Sequence, residues 1–414
     1  MNVFLARGSM LKNSPIKFIF ITMFLDVLGI GVIIPILPEL IRHFLVDATK
    51  ASQYFGYFIS SYSFIQFFTS PVLGALSDRF GRRPILLISL FGAGLDYIVM
   101  AFAPSLFVLF LGRLLSGLTG ASMTVASAYM ADVSDEKNRS ANFGMIGAAF
   151  GLGFVIGPAL GGLVGSYGWT YPFLTAAGLN LCNFLFGYFV LPESLPIDKR
   201  RKIDFSKLNP LKSFARIFEM RGLLPLLLVY FLFHFSGQVH PSNWTLYTQL
   251  KFKWTARDVG LSLAVVGFCI AIVQGGLSRI IVPKFGEWRS VLFGALMNCF
   301  GFAGFALAAQ GWQMFVVLVP SALSSVGGPA LQSLISKDTP SNEQGELQGT
   351  LMSIMSLTSI LGPIVYTSLF ARFTQNTNFY LPGAAYFFAA LISLVASVLV
   401  LKLYLGRKLS AFAG

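Results

Sequence analysis

The feature of this sequence that most restricts its fold is a series of apolar runs, each about 20 residues long. A helix of that length crosses the roughly 30 Å hydrocarbon core of a bilayer. Only 11% of the 414 residues are charged, against about 25% in a typical soluble domain. The sequence therefore predicts an all-α polytopic membrane protein, in which hydropathy assigns the spans.

Twelve transmembrane helices are expected, and only one connection between them is long. The predicted spans are 16–38, 53–76, 84–103, 105–129, 140–164, 170–191, 222–244, 257–281, 288–308, 311–335, 344–370 and 380–404. The long connection divides the chain six plus six. We predict an N-terminal six-helix bundle at 1–191, a cytoplasmic linker at 192–221 and a C-terminal six-helix bundle at 222–414.

The net charge of +13 is explained by topology rather than by nucleic acid, which we do not expect as a partner. Lys and Arg gather at both ends of the chain, in the linker and in alternate connections, whereas the connections at 103–105 and 309–311 carry no charge. Because positive residues collect on the cytoplasmic side, both termini are predicted in the cytoplasm. We expect a multi-pass protein of the bacterial inner membrane.

The two halves of the sequence look like repeats. Gly157-Pro158 in the fifth span recurs as Gly362-Pro363 in the eleventh, 205 residues later (362 − 157). The short loops after the second and eighth spans are also alike, with Phe-Gly-Arg-Arg matching Phe-Gly-Glu-Trp. Two repeated six-helix halves around a central cavity favour a transporter that alternates access, and we expect it to act as a monomer.

Three ionisable residues lie near the middle of predicted spans: Asp26 in the first, Asp96 in the third and Arg113 in the fourth. Each costs several kcal/mol in a membrane unless it is paired or hydrated, with estimates for one charge starting at about 2.5–3.5 kcal/mol. Burial favours a neutral carboxyl and a nearby guanidinium favours an ionised one, so such a site can exchange protons as the cavity alternates. The alternative is a permanent structural ion pair.

The loop after the second span is dense in charge and glycine. We predict that Asp78, Arg82 and Arg83 latch a cytoplasmic gate, with Asp132 at the end of the fourth span as a partner. Topology alone would explain the arginines but not Asp78 or Gly81 beside them.

Polar side chains without charge are scattered at mid-span depth among aromatic residues, as in a small-molecule site. Some of these amides would instead join helices. The predicted substrate-cavity residues are Tyr62, Gln66, Asn180, Gln238, Gln274, Asn298 and Gln332. Three cysteines lie singly in apolar runs, so we predict neither a metal site nor a cofactor. No set of residues suggests an enzyme, and the proton motive force is the expected energy source.

Several motifs together resemble the major facilitator superfamily, specifically its drug/proton antiporter branch with the bacterial tetracycline exporters. They are Leu25-Asp26-Val-Leu-Gly29, the loop from Asp78 to Pro84, Leu95-Asp96-Tyr97, Gly112-Arg113 and Gly157-Pro158. The resemblance covers most of the chain. It implies that Asp78 and Arg82 are gate residues and that Asp26, Asp96 and Arg113 are essential for transport. It also places Gly157 and Pro158 in an antiporter motif with a gating role.

The sequence departs from the tetracycline exporters at two places. Where they carry a histidine in the eighth helix and an aspartate in the ninth, this chain has Ile270 and Asn298. Proton coupling is therefore expected to rest on the first half. The leading hypothesis is proton-driven export of an amphipathic drug, dye or secondary metabolite. Uptake of a nutrient by the same fold is the alternative, and a membrane sensor without transport is a third.

Overall fold

The structure is a computed structural model that describes residues 2–45, 47–120, 122–135, 139–200, 210, 220, 222–340, 343–375 and 379–413. Every regular element in these ranges is helical. Most of the predicted linker at 192–221 lies outside the described residues, apart from its first part, which includes a 3₁₀ turn at Ile197–Lys199.

In the first half of the chain, the described residues form eight α-helices. They are α1 Asn2–Ile33, α2 Leu37–Phe44, α3 Ala48–Phe80, α4 Arg82–Ala101, α5 Leu106–Thr119, α6 Ser122–Asp132, α7 Arg139–Gly165 and α8 Thr170–Val190. The described residues of the second half form nine from Leu224 onward. They are α9 Leu224–Gly237, α10 Val239–Phe252, α11 Ala256–Ile272, α12 Ser278–Phe285, α13 Glu287–Leu307, α14 Gly311–Ala322, α15 Gly327–Lys337, α16 Gln344–Gln375 and α17 Ala384–Ala413.

In the described part of the chain, ten helical stretches are long and apolar enough to cross a membrane. Lipid offers the backbone no hydrogen-bond partner, so each such stretch closes its own bonds as a helix. The ten are Pro15–Ile33, Arg82–Ala101, Leu106–Asp132, Met145–Gly165, Thr170–Val190, Ala256–Phe285, Glu287–Leu307, Gly311–Lys337, Leu347–Gln375 and Ala384–Arg407. They overlap ten of the twelve predicted spans.

The predicted second and seventh spans also form helices but are not among these ten. The second corresponds to α3, which is 33 residues long and rich in serine, tyrosine and glutamine. The seventh is divided at Gln238 into α9 and α10. Each is 14 residues long, which is short of the roughly 20 that cross the hydrocarbon core.

The fourth, eighth and tenth predicted spans are also interrupted within the structure. In the fourth span, α5 ends at Thr119 and α6 begins at Ser122. A π-type turn at Val273–Leu277 separates α11 from α12, and a 3₁₀ turn at Leu323–Val326 precedes α15. Small or polar residues lie at these points, namely Gly120, Gln274-Gly275-Gly276 and Ser324-Ser325. The long apolar runs around them dominate the hydropathy pattern, so each run was predicted as one span.

The chain divides into two compact units, and each combines segments from both halves of the sequence. Unit one contains Met1–Leu40, Phe64–Asn209 and Ala256–Gly267. Its core packs α1, α4 and α6 together through residues such as Phe18, Leu86 and Tyr129. Unit two contains Ile41–Ser63, Pro210–Thr255 and Phe268–Gly414. Its core includes Tyr230, Leu331 and Leu347, from α9, α15 and α16.

The helix boundaries repeat along the chain with the spacing found in the sequence. The first residues of α4 and α13 are 205 positions apart (287 − 82), as are those of α5 and α14 (311 − 106) and those of α7 and α16 (344 − 139). These three pairs of helices therefore begin at equivalent positions in the two halves.

Candidate functional site

Asp26 lies inside unit one on α1, where its carboxylate has a hydroxyl partner. The Ser122 hydroxyl, in the first turn of α6, donates to Asp26 Oδ2 at 2.5 Å. Asp26 is half-buried and Ser122 is buried. A carboxyl in an apolar helix thus accepts a hydrogen bond from the first turn of a second helix.

Asp96 on α4 is the more deeply enclosed carboxyl, with 2% of its surface exposed. The Ser116 hydroxyl, on α5, donates to Asp96 Oδ2. In the described part of the chain, Asp96 Oδ1 has no hydrogen-bond partner. Arg113 and Asp26 are the charged groups that act on Asp96. The structure therefore brings together the three membrane charges that the sequence singled out.

The two serines flank the interruption between α5 and α6, and α3 supplies the partners of the freed carbonyl groups. Gln66 Nε2 donates to Gly120 O at 2.8 Å, and the Thr69 hydroxyl donates to Gly117 O at 2.8 Å. These bonds satisfy carbonyl oxygens that the end of a helix leaves without an intrahelical partner. Sequence analysis missed Ser116, Ser122 and Thr69, because small hydroxyl residues are common in membrane helices.

The predicted latch is assembled around Arg82, the first residue of α4. Its Nη1 lies 2.5 Å from Asp78 Oδ1, and its Nε donates to Asp132 Oδ2 at 3.1 Å. Nη1 also donates to the Ser77 hydroxyl at 2.7 Å. Arg82 thereby ties the ends of α3 and α6 to the start of α4. Gly81 permits the turn, since its φ of 107° is a conformation that side chains disfavour.

Glu193, which the sequence did not single out, caps the same corner. Its carboxylate accepts from the backbone N–H groups of Arg82 at 2.8 Å and Arg83 at 3.3 Å. An acidic group at a helix N-terminus satisfies free N–H groups and is favoured by the helix dipole. The Ser194 hydroxyl donates to Asp132 Oδ2 at 3.0 Å. The beginning of the predicted linker is therefore built into the latch.

Arg83 has a different role from Arg82. Its Nη2 donates to Tyr188 O at 2.6 Å, and its guanidinium lies 5.9 Å from the centre of the Tyr188 ring. It attaches the end of α8 to the corner rather than joining the carboxylates of Asp78 and Asp132.

Unit two contains a counterpart of the latch with reversed charges. Glu287, 205 residues after Arg82, lies 2.7 Å from Lys337 Nζ, and both pairs span 50 residues (132 − 82 and 337 − 287). The Ser333 hydroxyl donates to Glu287 Oε1 at 2.5 Å. Gly286 before it has a positive φ of 79°, as Gly81 has.

The next position along the chain is also exchanged between the units, since it carries the cation of a cation–ring contact in unit one and the ring in unit two. In unit one the cation Arg83 lies over the ring of Tyr188. In unit two the equivalent position is Trp288, and the guanidinium of Arg407, near the end of α17, lies 5.9 Å from its ring centre. Arg407 also binds Asp338 through two nitrogens, at 2.9 and 3.2 Å.

The glycine motif of α7 forms a packing surface within unit one. A side chain at Gly157 would lie 2.8 Å from Leu28 O, and one at Gly161 would overlap Val32 O, so α1 approaches α7 backbone to backbone. The Pro158 carbonyl is similarly close to Gly260 on α11. Small residues allow such close contacts in membranes.

The predicted substrate-cavity residues fall into both units. In unit one, Gln66 binds Gly120 O, and Asn180 is fully buried with its amide donating to Ala176 O. In unit two, Gln238 Nε2 donates to the Ser359 hydroxyl at 3.0 Å. The other four also belong to unit two: Tyr62 and Asn298 are half-buried, whereas Gln274 and Gln332 are exposed. Their contact with a substrate stays a prediction.

The arrangement in unit one can hold and release protons, because two carboxyls, two hydroxyls and one guanidinium lie together within apolar helices. Among the described residues, no group of three or more His, Cys, Asp or Glu side chains is placed to hold a metal ion.

Known proteins resemble this chain over nearly its whole length. The profile of the Major Facilitator Superfamily matches residues 19–363. A class C tetracycline resistance protein of Escherichia coli is 39% identical over 386 residues, which are 93% of this chain and 96% of that protein. A class G tetracycline resistance protein of Vibrio anguillarum is 41% identical over 350 residues, or 84% and 88% of the two chains.

Solved structures resemble it as well. The human organic anion transporter MFSD10 has a TM-score of 0.70 at 26% identity, covering 94% of this chain and 99% of that one. The nucleoside transporter NupG has a TM-score of 0.76, covering 94% of this chain and 98% of its own. At 14% identity, the second comparison shows a shared fold alone.

Proposed function

Because this chain belongs to the major facilitator superfamily, we propose that it is a proton-coupled transporter that exports an amphipathic small molecule. The resemblance predicted from its motifs is confirmed. The observation that carries the proposal is the cluster of Asp26, Asp96 and Arg113 in unit one, in a chain similar to tetracycline resistance proteins. Buried charges are costly in a membrane, and in a transporter that alternates access they can bind protons on one side and release them on the other.

The proposed topology has twelve spans, with both termini in the cytoplasm of a bacterial cell and the protein in the inner membrane. It counts α3 as one span and joins α9 with α10 as another. Support comes from the equivalent helix starts in the two halves, since a repeated unit has the same number of spans in each. We propose that the transporter works as a monomer with protons and a small molecule as its ligands.

In the proposed mechanism, Asp26 and Asp96 take up protons when the cavity is open to one side of the membrane and release them to the other. Arg113 stabilises the ionised carboxylate of Asp96 between these events. Substrate moves in the opposite direction, so that proton entry drives export.

Gating is assigned to the corner around Arg82 and to the α7 motif. Asp78, Arg82 and Asp132 hold helix ends together, Arg83 adds the end of α8, and the close contacts of Gly157 and Pro158 fix where neighbouring helices pivot. Changing these contacts is the step that would open or close one side.

The substrate class is an amphipathic compound such as a tetracycline, a dye or a secondary metabolite. Ile270 on α11 and Asn298 on α13 supply neither charge nor imidazole, so the second half offers no acidic contact there to a metal-chelated drug. Uptake of a nutrient is the alternative that the same fold permits.

Everted membrane vesicles test the proposal directly. In such vesicles an exporter carries substrate into an acidified lumen and lets protons out, so a transported compound collapses the pH gradient. We expect collapse by at least one member of a panel of tetracyclines, cationic dyes and secondary metabolites. Asp26→Asn should abolish it, whereas Asp198→Asn, which changes an exposed acid, should not.

Two results would contradict export. A panel without effect on folded protein, with the same compounds accumulated by intact cells, would favour uptake. Full activity of Asp26→Asn would remove this carboxyl from the coupling mechanism.

A further inference from the structure

We propose that Ser116 and Ser122 are positioning residues for proton coupling, each holding one carboxyl in both its ionised and its protonated state. This inference rests on the proposed transport function and adds two residues to it. Its basis is the pair of hydroxyls that flank the interruption between α5 and α6 and meet Asp96 and Asp26.

Hydroxyl groups in helices ordinarily bond to a carbonyl of their own helix three or four residues back. The structure has many examples, including Ser61 with Phe58 O and Thr119 with Leu115 O. Ser116 and Ser122 differ, since each donates to a carboxylate from another helix. Their orientation therefore serves the carboxyls rather than the local backbone.

The carbonyl groups at the interruption do not need the serines, because α3 provides other donors. Gln66 and Thr69 bond to Gly120 O and Gly117 O. Without these bonds the serine hydroxyls would compete for the same carbonyl oxygens. The interruption thus leaves both hydroxyls available to the two carboxyls.

A hydroxyl suits a group that gains and loses a proton, because it has one donor and two acceptor lone pairs. When Asp26 is ionised, the Ser122 O–H donates to it. When a proton from water has bound to Asp26, the carboxyl O–H donates to Ser122 Oγ after that hydroxyl rotates. The proton later leaves to water on the other side, and no covalent bond between heavy atoms changes. Ser116 serves Asp96 in the same way.

Few other charges can interfere with these two carboxyls. In the described part of the chain, the charged groups that act on Asp96 are Arg113 from α5 and Asp26. Of the further helices packed on α1, α8 contains no charged residue, α7 has only Arg139 at its first position, and α6 has only Asp132 at its last. The serine hydroxyls donate to both carboxylates, and Arg113 is the cation that acts on Asp96.

The test is the pH profile of antiport in everted vesicles for Ser116→Ala and Ser122→Ala. Loss of a donated hydrogen bond disfavours the ionised carboxyl, so each profile should move to higher pH by about half to one unit, a three- to ten-fold change in proton affinity. Substrate binding should stay within about two-fold, since the serines are not expected to touch the substrate. Ser116→Thr and Ser122→Thr keep the hydroxyl and should retain the wild-type profile.

Thr119→Val is the matched control, because it removes a hydroxyl of α5 that, among the described residues, bonds within its own helix to Leu115 O and Ser116 O. An unchanged profile in both alanine variants would overturn the proposal. So would threonine variants that fail as the alanine variants do, or a Thr119→Val profile shifted equally.

A second readout separates this proposal from the transport function. Infrared titration of purified protein follows the carboxyl C=O band directly and needs no substrate, with Asp26→Asn and Asp96→Asn identifying the bands. If the wild type transports nothing while the serine variants still shift these titrations, the export proposal fails and the positioning role stands. If transport proceeds and neither band shifts, the positioning role fails alone.

Discussion

At the residue scale, charge in an apolar setting was the informative signal. Asp26, Asp96 and Arg113 could be predicted from their position within apolar runs, and the structure brings them together. Glu193 could not be predicted, because it follows the sixth span in a stretch that looks like the start of a solvated linker. Its importance depends on where the chain turns back toward Arg82, which no local pattern shows.

We predict that Asp78→Asn slows transport about five-fold while substrate binding is retained. The substitution removes one charge partner of Arg82 but leaves Asp132, and Asp78 is partly solvated, so about 1 kcal/mol is lost. Turnover and binding measured separately in vesicles check this. Wild-type turnover in Asp78→Asn would show that Asp78 does not contribute to gating.

Glu193→Ala should lower the free energy of unfolding by about 1–2 kcal/mol, the usual cost of losing a helix N-cap partner. Thermal unfolding of the purified protein in detergent measures the change. Glu39→Ala, which removes an exposed acid from α2, serves as the control. Equal stability of the two variants would contradict the capping role.

At the scale of helices, the sequence predicts where helices lie better than it predicts where they are interrupted. Long apolar runs correctly predicted where most helices lie. The division at Gln238 and the gap between Thr119 and Ser122 were missed. A helix can end inside an apolar run when another helix supplies donors to its carbonyl groups, as Gln66 does for Gly120. Such partners come from distant parts of the chain.

The contact of α7 with α1 gives a prediction at the same scale. Gly161→Ala should destabilise the protein by about 1–3 kcal/mol, because the added carbon overlaps the Val32 carbonyl and the backbones must separate. Gly151→Ala on the same helix is the matched control, since no described atom lies within 4 Å of its added carbon. It should be neutral or stabilising by up to about 1 kcal/mol. Thermal unfolding of both variants in detergent tests the difference, and similar losses would argue against the close approach.

At the scale of the whole molecule, the repeat predicted from a few glycines extends to helix starts and to charge pairs. Arg82–Asp132 and Glu287–Lys337 occupy equivalent positions with opposite signs. The 205-residue offset locates both Glu287 and Lys337 in the sequence, since Lys337 follows Asp132 by that distance (337 − 132). Their contact becomes visible only in the structure, where α13 and α15 lie side by side.

The reversed pair predicts the outcome of a charge exchange. Glu287→Lys and Lys337→Glu should each slow transport a few-fold, because like charges then meet at the ends of α13 and α15. The double variant should recover to within about two-fold of wild type, as expected for directly coupled residues. Vesicle transport, normalised to the amount of protein in the membrane, measures all three. A double variant as slow as the slower single variant would show that the two charges are not coupled and that each position needs its own sign.

The exposure of these pairs also bears on how the two halves diverged. If both descend from one duplicated six-helix ancestor, one pair changed sign, and substitutions occurring singly passed through a stage with two like charges. The Lys337 side chain is 66% exposed, so water screens such a stage and its cost is at most about 1 kcal/mol. The Arg82 side chain is only 11% exposed, and the same stage there would strand a charge with little water. A single change of sign would therefore cost less at Lys337 than at Arg82.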